Sequence, residues 1–106
     1  MKDLRKMLSG SQAVVSLWEK GMLVGFGRAS SDGIYRAVLW DVVIDKEHQG
    51  QGNGKLLLEA LLEHPALLGV ERVYLMTTNQ AGFYEQLGFD VIKSQTLMGK
   101  LINKDL

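Results

Sequence analysis

"DKEHQGQGNGKLLLEALL", Asp45 to Leu62, sets three glycines within five residues, Gly50, Gly52 and Gly54, directly before a leucine-rich run. Leu57, Leu58, Leu61 and Leu62 recur at helical spacing, so the run reads as a helix over Gly54 to His64. Ahead of it stands "YRAVLWDVVID", Tyr35 to Asp45, long and β-branched, the pattern of a central strand. A strand, a glycine loop and a helix in that order can bind an anion. Glycine lets the backbone approach the ligand, free N–H groups at the helix start point at it, and the helix dipole favours negative charge. Lys55, in the first turn, adds a cation. The loop alone is equally compatible with a plain strand-to-helix turn whose glycines serve only backbone freedom.

Two nucleotide readings of this loop fail on spacing. A mononucleotide P-loop needs G-x-x-x-x-G-K-[ST]. Gly50 and Gly54 are one residue too close for it, and Lys55 is followed by Leu56, which has no hydroxyl for magnesium. The dinucleotide fingerprint G-x-G-x-x-G would require glycine where Lys55 or Leu57 stands. What fits is Gln49-x-x-Gly52-x-Gly54.

Outward from the loop, "DLRKML" (Asp3 to Leu8) reads as a short helix, and "AVVSLWE" (Ala13 to Glu19) and "MLVGFGRAS" (Met22 to Ser30) as strands joined by a turn at Lys20-Gly21. "ERVYLMT" (Glu71 to Thr77) is a strand, and "NQAGFYEQLGF" (Asn79 to Phe89) a short helix stopped by Gly88. "DVIKS" and "TLMGKLIN" complete the chain as an expected strand pair. The order α-β-β-β-α-β-α-β-β predicts an α/β domain over residues 1–106, with a mixed sheet and one central crossover.

The bulk numbers narrow the function. At 106 residues the chain is expected to be one domain. Twelve basic residues balance 12 acidic ones, which argues against nucleic acid as a partner, since that binding feeds on clustered positive charge. There is no cysteine, which excludes disulfides, thiolate nucleophiles and cysteine-held zinc. No apolar run approaches a membrane span of ~18 residues, and the start "MKDLRKMLSG" lacks a signal-like apolar core, so a cytoplasmic protein with no membrane partner is expected. His48 and His64 form no ligand spacing and read as surface residues, so no metal is expected. Trp18 and Trp40 read as core, with the lining of an aromatic pocket as the alternative, and Met7, Met22, Met76 and Met98 read as core.

Together, "LWDVVIDKEHQGQGNGKLLLEALL" and "FYEQLGF" resemble the GNAT superfamily of acetyl-CoA-dependent N-acetyltransferases. The family's loop [QR]-x-x-G-x-[GA] is met by Gln49, Gly52 and Gly54. Its aromatic-Tyr pair ending in Gly-Phe is met by Phe83, Tyr84, Gly88 and Phe89, in the expected order. The resemblance runs from about Met22 to Lys104, and is similar in finer detail to a plastid and cyanobacterial branch acting on arylalkylamines and protein lysines. It implies a mixed central sheet flanked by helices, with the N-terminal strand and helix reduced.

The resemblance further implies acetyl-CoA as co-substrate. Its pyrophosphate would lie on the backbone of Gln49, Gly50, Gln51, Gly52, Asn53, Gly54 and Lys55. Its pantetheine would run beside Val42, Val43 and Ile44, in a gap where the central strand splays from the next. Asn79 would orient the coenzyme, or else cap the helix from Gln80. The implied reaction is attack of a primary amine, a small amine or a protein lysine or N-terminus, on the thioester. Such an amine has pKa ~10 and must lose a proton first. Tyr84 matches the family's acid for the leaving thiolate, and backbone N–H near Val43 matches its oxyanion donor. Asp41 is the candidate base, a carboxylate inside an apolar strand that either lines a cleft or faces solvent.

The chain departs from the family at its start, where the segment that helps wall the amine site is reduced to Asp3 to Leu8. A homodimer partner would complete that wall, a large acceptor would not need it, or the acceptor site would be vestigial. Thr77 and Thr78 also supply no carboxylate where some relatives carry one. The rival expectation is a module that binds acyl-CoA or a protein without turnover.

Overall fold

The computed structural model describes residues 12–103, so the expected helix at Asp3 to Leu8, with Met7, lies outside the described residues. The chain divides into two units, one ending at Met76 and the other beginning at Thr77.

In the first unit, β1 (Ala13–Glu19), β2 (Met22–Ser31), β3 (Arg36–Ile44) and β4 (Arg72–Leu75) form one four-stranded sheet in that order. β1 to β3 are an antiparallel meander, and β4 joins β3 in parallel. A parallel return needs a crossover, and α1 (Asn53–Leu62) supplies it. The central strand and single crossover expected from the sequence are thus both found. The turns use Gly21 at φ +80 and Gly33 at φ +78. The second of these is bound by Asp32, whose Oδ1 accepts from the amides of Ile34, Tyr35 and Arg36.

α1 lies on the sheet because its leucine stripe has a surface of small residues to meet. Leu57, Leu58 and Leu61 are fully buried. Gly25, Gly27 and Ala29 alternate along β2 toward that face, and a Cβ on Gly27 would stand 2.8 Å from Leu61 Cδ1. Ala13, Ala37 and Leu39 complete the buried set on β1 and β3.

β3 does not keep a regular period. Its register with β2 runs Leu39↔Ala29 and Trp40↔Arg28, then resumes at Val43↔Phe26, so Asp41 and Val42 together oppose Gly27. This is a bulge, and Asp41 takes the left-handed conformation there, φ +51. The extra residue decides what faces α1. In a regular strand Leu39 and Asp41 would share a face. The bulge instead brings Val42 toward α1, 3.5 Å from the position of a Gly27 Cβ, and releases Asp41 to the opposite face beside Arg28.

In the second unit, α2 (Ala81–Gln86) is followed by residues 87–103 without helix or strand. The expected strand pair over "DVIKS" and "TLMGKLIN" is not formed. Val91, Ile92, Leu97, Met98, Leu101 and Ile102 are exposed, and no ladder holds them. Two strands with no buried face are marginal by themselves. Trp18, Met22, Met76 and Met98 are likewise exposed rather than core. Among the described residues no helix is long and apolar enough to cross a membrane.

Candidate functional site

The β3–β4 ladder is short. It runs from Arg36↔Arg72 to Leu39↔Leu75 and stops. β3 continues to Ile44, paired only with β2. From Trp40 onward no strand among the described residues pairs its other edge; Asp45 N–H donates to Val24 O, so Asp45 and Val43 face β2, and Val42 and Ile44 present their main chain to that other edge. β4 itself ends at Leu75, and the bulge at Asp41 and Val42 begins two residues past Leu39, the last β3 residue it pairs.

The glycine loop begins where β3 ends. Lys46–His48 form one short 3-10 turn, and α1 starts at Asn53. Gly50 (φ +76) and Gly52 (φ +84, the N-cap) adopt a conformation that side chains disfavour, so these two glycines are required by the turn. Beyond the chain neighbours, no heavy atom of the described residues lies within 4 Å of where a Cβ on either would stand. Side-chain amides brace the loop from within: Gln49 Nε2 donates to Ile44 O at 3.0 Å, Asn53 Nδ2 to His48 O at 3.0 Å, and Gln51 Nε2 to Glu47 O at 3.5 Å. Gln49 and Asn53 thus fix the loop, and the groups left to meet a ligand are main-chain. The first N–H groups of a helix have no intrahelical acceptor, and no side chain caps α1. Lys55 is exposed and 3.9 Å from Glu59.

His48 is the residue at this loop that the sequence reading undervalued. It is half-buried rather than a free surface residue: Nδ1 is 2.8 Å from Asp45 Oδ2 and Nε2 is 3.0 Å from Glu19 Oε2. The hydrogen bond to Asp45 foremost, with the Glu19, Asp45 and Glu47 charges, outweighs burial and raises its pKa. The i, i+3 spacing to Asp45 was readable; Glu19 enters only through the hairpin. His64 caps the second 3-10 turn, its Nδ1 accepting from Ala66 N at 3.0 Å. Among the described residues no cluster of histidines and carboxylates could hold a metal.

Asp41 is not an unpaired charge in an apolar setting. Arg28 Nε donates to its Oδ2 at 2.8 Å, and its side chain is 55% exposed. Arg28 also stands 5.9 Å from the Trp40 ring centroid. Trp40 is half-buried, with its indole N–H donating to Ser30 Oγ at 2.8 Å.

In the second unit the "FYEQLGF" motif is a cluster of rings. Tyr84 meets Phe83 edge-on at 5.1 Å and Phe89 at 5.8 Å between centroids. Gly88, at φ +96, folds the chain back: its N–H bonds Glu85 O, and Phe89 N–H bonds Tyr84 O. That closing pair is why the motif needs glycine before its last aromatic. Burial raises the Tyr84 pKa above 10.0, so the phenol keeps its proton at neutral pH. Asn79 does not cap α2. The N-cap is Gln80, and its amide is taken by Thr77 Oγ1 at 3.1 Å.

Comparison with known proteins shows the family. Residues 10–91 match the acetyltransferase (GNAT) domain. GCN5-related N-acetyltransferase 1, chloroplastic, of Arabidopsis thaliana is 38% identical over 86 residues, covering 76% of this chain and 44% of that protein. The uncharacterized N-acetyltransferase ycf52 of Gracilaria tenuistipitata var. liui is 34% identical over 94 residues, covering 84% of this chain and 52% of that one. A protein from Xanthomonas campestris pv. campestris assigned to the GNAT family superposes with a TM-score of 0.82 at 31% identity, over 95% of this chain and 71% of its own. The chain spans about half or less of the length of these two curated relatives. It belongs to the GNAT acetyltransferase family, with chloroplast and plastid proteins among its relatives.

Proposed function

We propose that this GNAT domain transfers the acetyl group of acetyl-CoA to a primary amine. The observation that carries the reading is the continuity of two main-chain surfaces. Past Trp40 no strand among the described residues pairs the outer edge of β3, and that edge runs directly into a turn in which Gly50 and Gly52 are left-handed and whose helix has no side-chain cap. A pantetheine arm needs amide partners along its length; of Val42, Val43 and Ile44, Val42 and the Ile44 N–H lie on the edge that can offer them, while Val43 faces β2. A pyrophosphate needs converging N–H donors, and the loop from Gln49 to Lys55 offers those.

In the transfer the amine nitrogen bonds to the thioester carbon, negative charge gathers on the carbonyl oxygen, and the C–S bond then breaks. An N–H near Val43 is proposed to stabilise that charge. Tyr84 is proposed to give its proton to the leaving thiolate, a role that rests on the motif and on a phenol kept protonated by burial. Asp41 is proposed as the base that deprotonates the amine, directly or through water, once the amine displaces Arg28 from it.

Thermal unfolding with acetyl-CoA, coenzyme A, ATP and NAD in parallel tests the binding half. A ligand at about 100 times its Kd adds ~2.7 kcal/mol. Stabilisation by both coenzyme forms and neither nucleotide is expected; no shift with either coenzyme overturns the reading. Thiol release with an amine panel tests the chemistry, against no background because the chain has no cysteine. Binding without release on any amine would make the domain an acyl-CoA-binding module.

A further inference from the structure

We infer that His48 is a positioning residue for the coenzyme loop and performs that role as an imidazolium bridging Glu19 and Asp45. The inference rests on the reading that the loop takes the coenzyme pyrophosphate. Its basis is a donor count. A neutral imidazole has one N–H, yet both ring nitrogens lie at hydrogen-bond distance from carboxylate oxygens, 2.8 Å to Asp45 and 3.0 Å to Glu19. Ionised carboxylates only accept, so both bonds form together only when both nitrogens carry protons.

The bridge joins two parts of the fold. Glu19 ends β1 at the hairpin turn, and Asp45 follows β3. The His48 carbonyl accepts the Asn53 side-chain amide, and Asn53 is the first residue of α1. The ring therefore fixes the backbone from which the first helical amides project. It also acts electrostatically. The charged groups acting on the ring are Asp45, Glu19 and Glu47, all carboxylates. An imidazolium offsets them beside a loop that must accept an anion. A neutral ring loses one bond and leaves a carboxylate facing a nitrogen lone pair.

Binding an anion at the loop and protonating His48 therefore assist one another, and by linkage coenzyme affinity falls as pH rises through the His48 pKa. A tenfold fall corresponds to a rise of about one unit in that pKa on binding. The raised pKa favours the bridged imidazolium in the free protein beyond what an ordinary histidine would show.

The probe is dephospho-coenzyme A, because it lacks the 3′-phosphate whose second ionisation, near pH ~6, would add its own pH dependence. Calorimetric affinities from pH 6 to pH 9 are measured for the wild type, His48→Gln and Glu19→Gln. Nitrogen-15 NMR follows the two histidine rings, with His64 as the internal reference. Expected are a His48 midpoint above 6.5 in the free protein, a higher one with ligand, and roughly tenfold loss of affinity across it. Glu19→Gln moves the NMR midpoint and the affinity curve down together. His48→Gln binds weakly with no slope. A purely structural histidine would not move the curve with Glu19. Tight binding that is flat with pH in the wild type, or a slope that survives His48→Gln, overturns this inference and leaves the coenzyme reading standing. No binding by any form at any pH overturns both.

Discussion

Arg28 Nε and Asp41 Oδ2 lie 2.8 Å apart across the one place where β3 breaks step with β2. The pair and the bulge have one origin. A carboxylate two residues after Leu39 would enter the leucine face of α1 in a regular strand, and the left-handed turn at Asp41 removes it to the face where Arg28 waits. Two substitutions separate backbone from charge. Asp41→Asn keeps a residue that tolerates this conformation and loses an exposed ion pair, so urea unfolding should shift by less than ~1 kcal/mol. Asp41→Ala should cost about 1 to 2 kcal/mol more, through backbone strain. If Asp41 is the base, Asp41→Asn also lowers kcat with coenzyme affinity unchanged. Full turnover across pH would remove it from the mechanism.

Gly27→Ala should destabilise by about 1 to 3 kcal/mol, the usual cost of overpacking. The added methyl would stand 2.8 Å from Cδ1 of Leu61, a fully buried side chain that must shift within the helix–sheet contact. Shortening that neighbour should relieve it, so Gly27→Ala with Leu61→Val should be less destabilised than the sum of the singles. Additivity in a double-mutant cycle would show that the strain lies elsewhere.

Much of this was legible because periodicity reports burial. The leucine spacing located α1 and its inward face, and the run before it located the central strand. The loop and ring motifs placed two glycines that turn out to need positive φ, Gly52 and Gly88, whereas Gly54 sits inside the helix and Gly50, also at positive φ, is not a motif position. The bulge was half visible, since Leu39, Val42 and Ile44 cannot share one face at period two. The sequence could not say that Asp41 is the residue that turns. It also could not show Glu19 reaching His48, because that contact spans a hairpin. The terminal apolar segments read as strands on propensity alone, and a strand forms only with a partner edge and a face to bury.

Gly52→Ala should weaken both fold and ligand binding. Nothing crowds the site, so the penalty is conformational: φ +84 costs an L-residue about 1 to 2 kcal/mol. The loop that relaxes to avoid it moves the first amides of α1, and the thermal shift with coenzyme A should shrink. Gly54→Ala, inside the first helical turn and outside the positive-φ set, should be neutral or stabilising by up to ~1 kcal/mol. Equal losses at both positions would count against a conformational cause.

The β2–β3 turn should give the acid limb of the stability curve a specific component. Amides of Ile34, Tyr35 and Arg36 donate to Asp32 and hold its pKa below 3.8. A lowered carboxylate contributes stability that is fully present above its unfolded value and lost as pH falls through its folded one. Urea midpoints measured from pH 6 downward should therefore fall below about pH 3.8 in the wild type, and Asp32→Asn should show a shallower fall there. Parallel curves would assign acid sensitivity to other groups.

Tyr84→Phe tests the chemistry with little change to packing. The ring keeps its edge contacts with Phe83 and Phe89, and Gly88 keeps the turn that brings Phe89 to it, so unfolding by heat should be nearly unchanged. Coenzyme binding should also be retained, because the loop and strand edge contribute main chain from other residues. What is lost is a proton donor. General acid catalysis contributes roughly 100- to 10,000-fold, so kcat should fall by at least about 100-fold with a slow acetyl acceptor. The pH profile adds a sign. Activity needs the protonated phenol, and burial raises its pKa above 10.0, so wild-type kcat should hold through neutral pH and fall only as pH rises past that value. The variant should lack this alkaline fall. A variant that turns over at the wild-type rate with the same alkaline limb would show that water or another group protonates the thiolate, and that the phenol serves only to close the ring cluster.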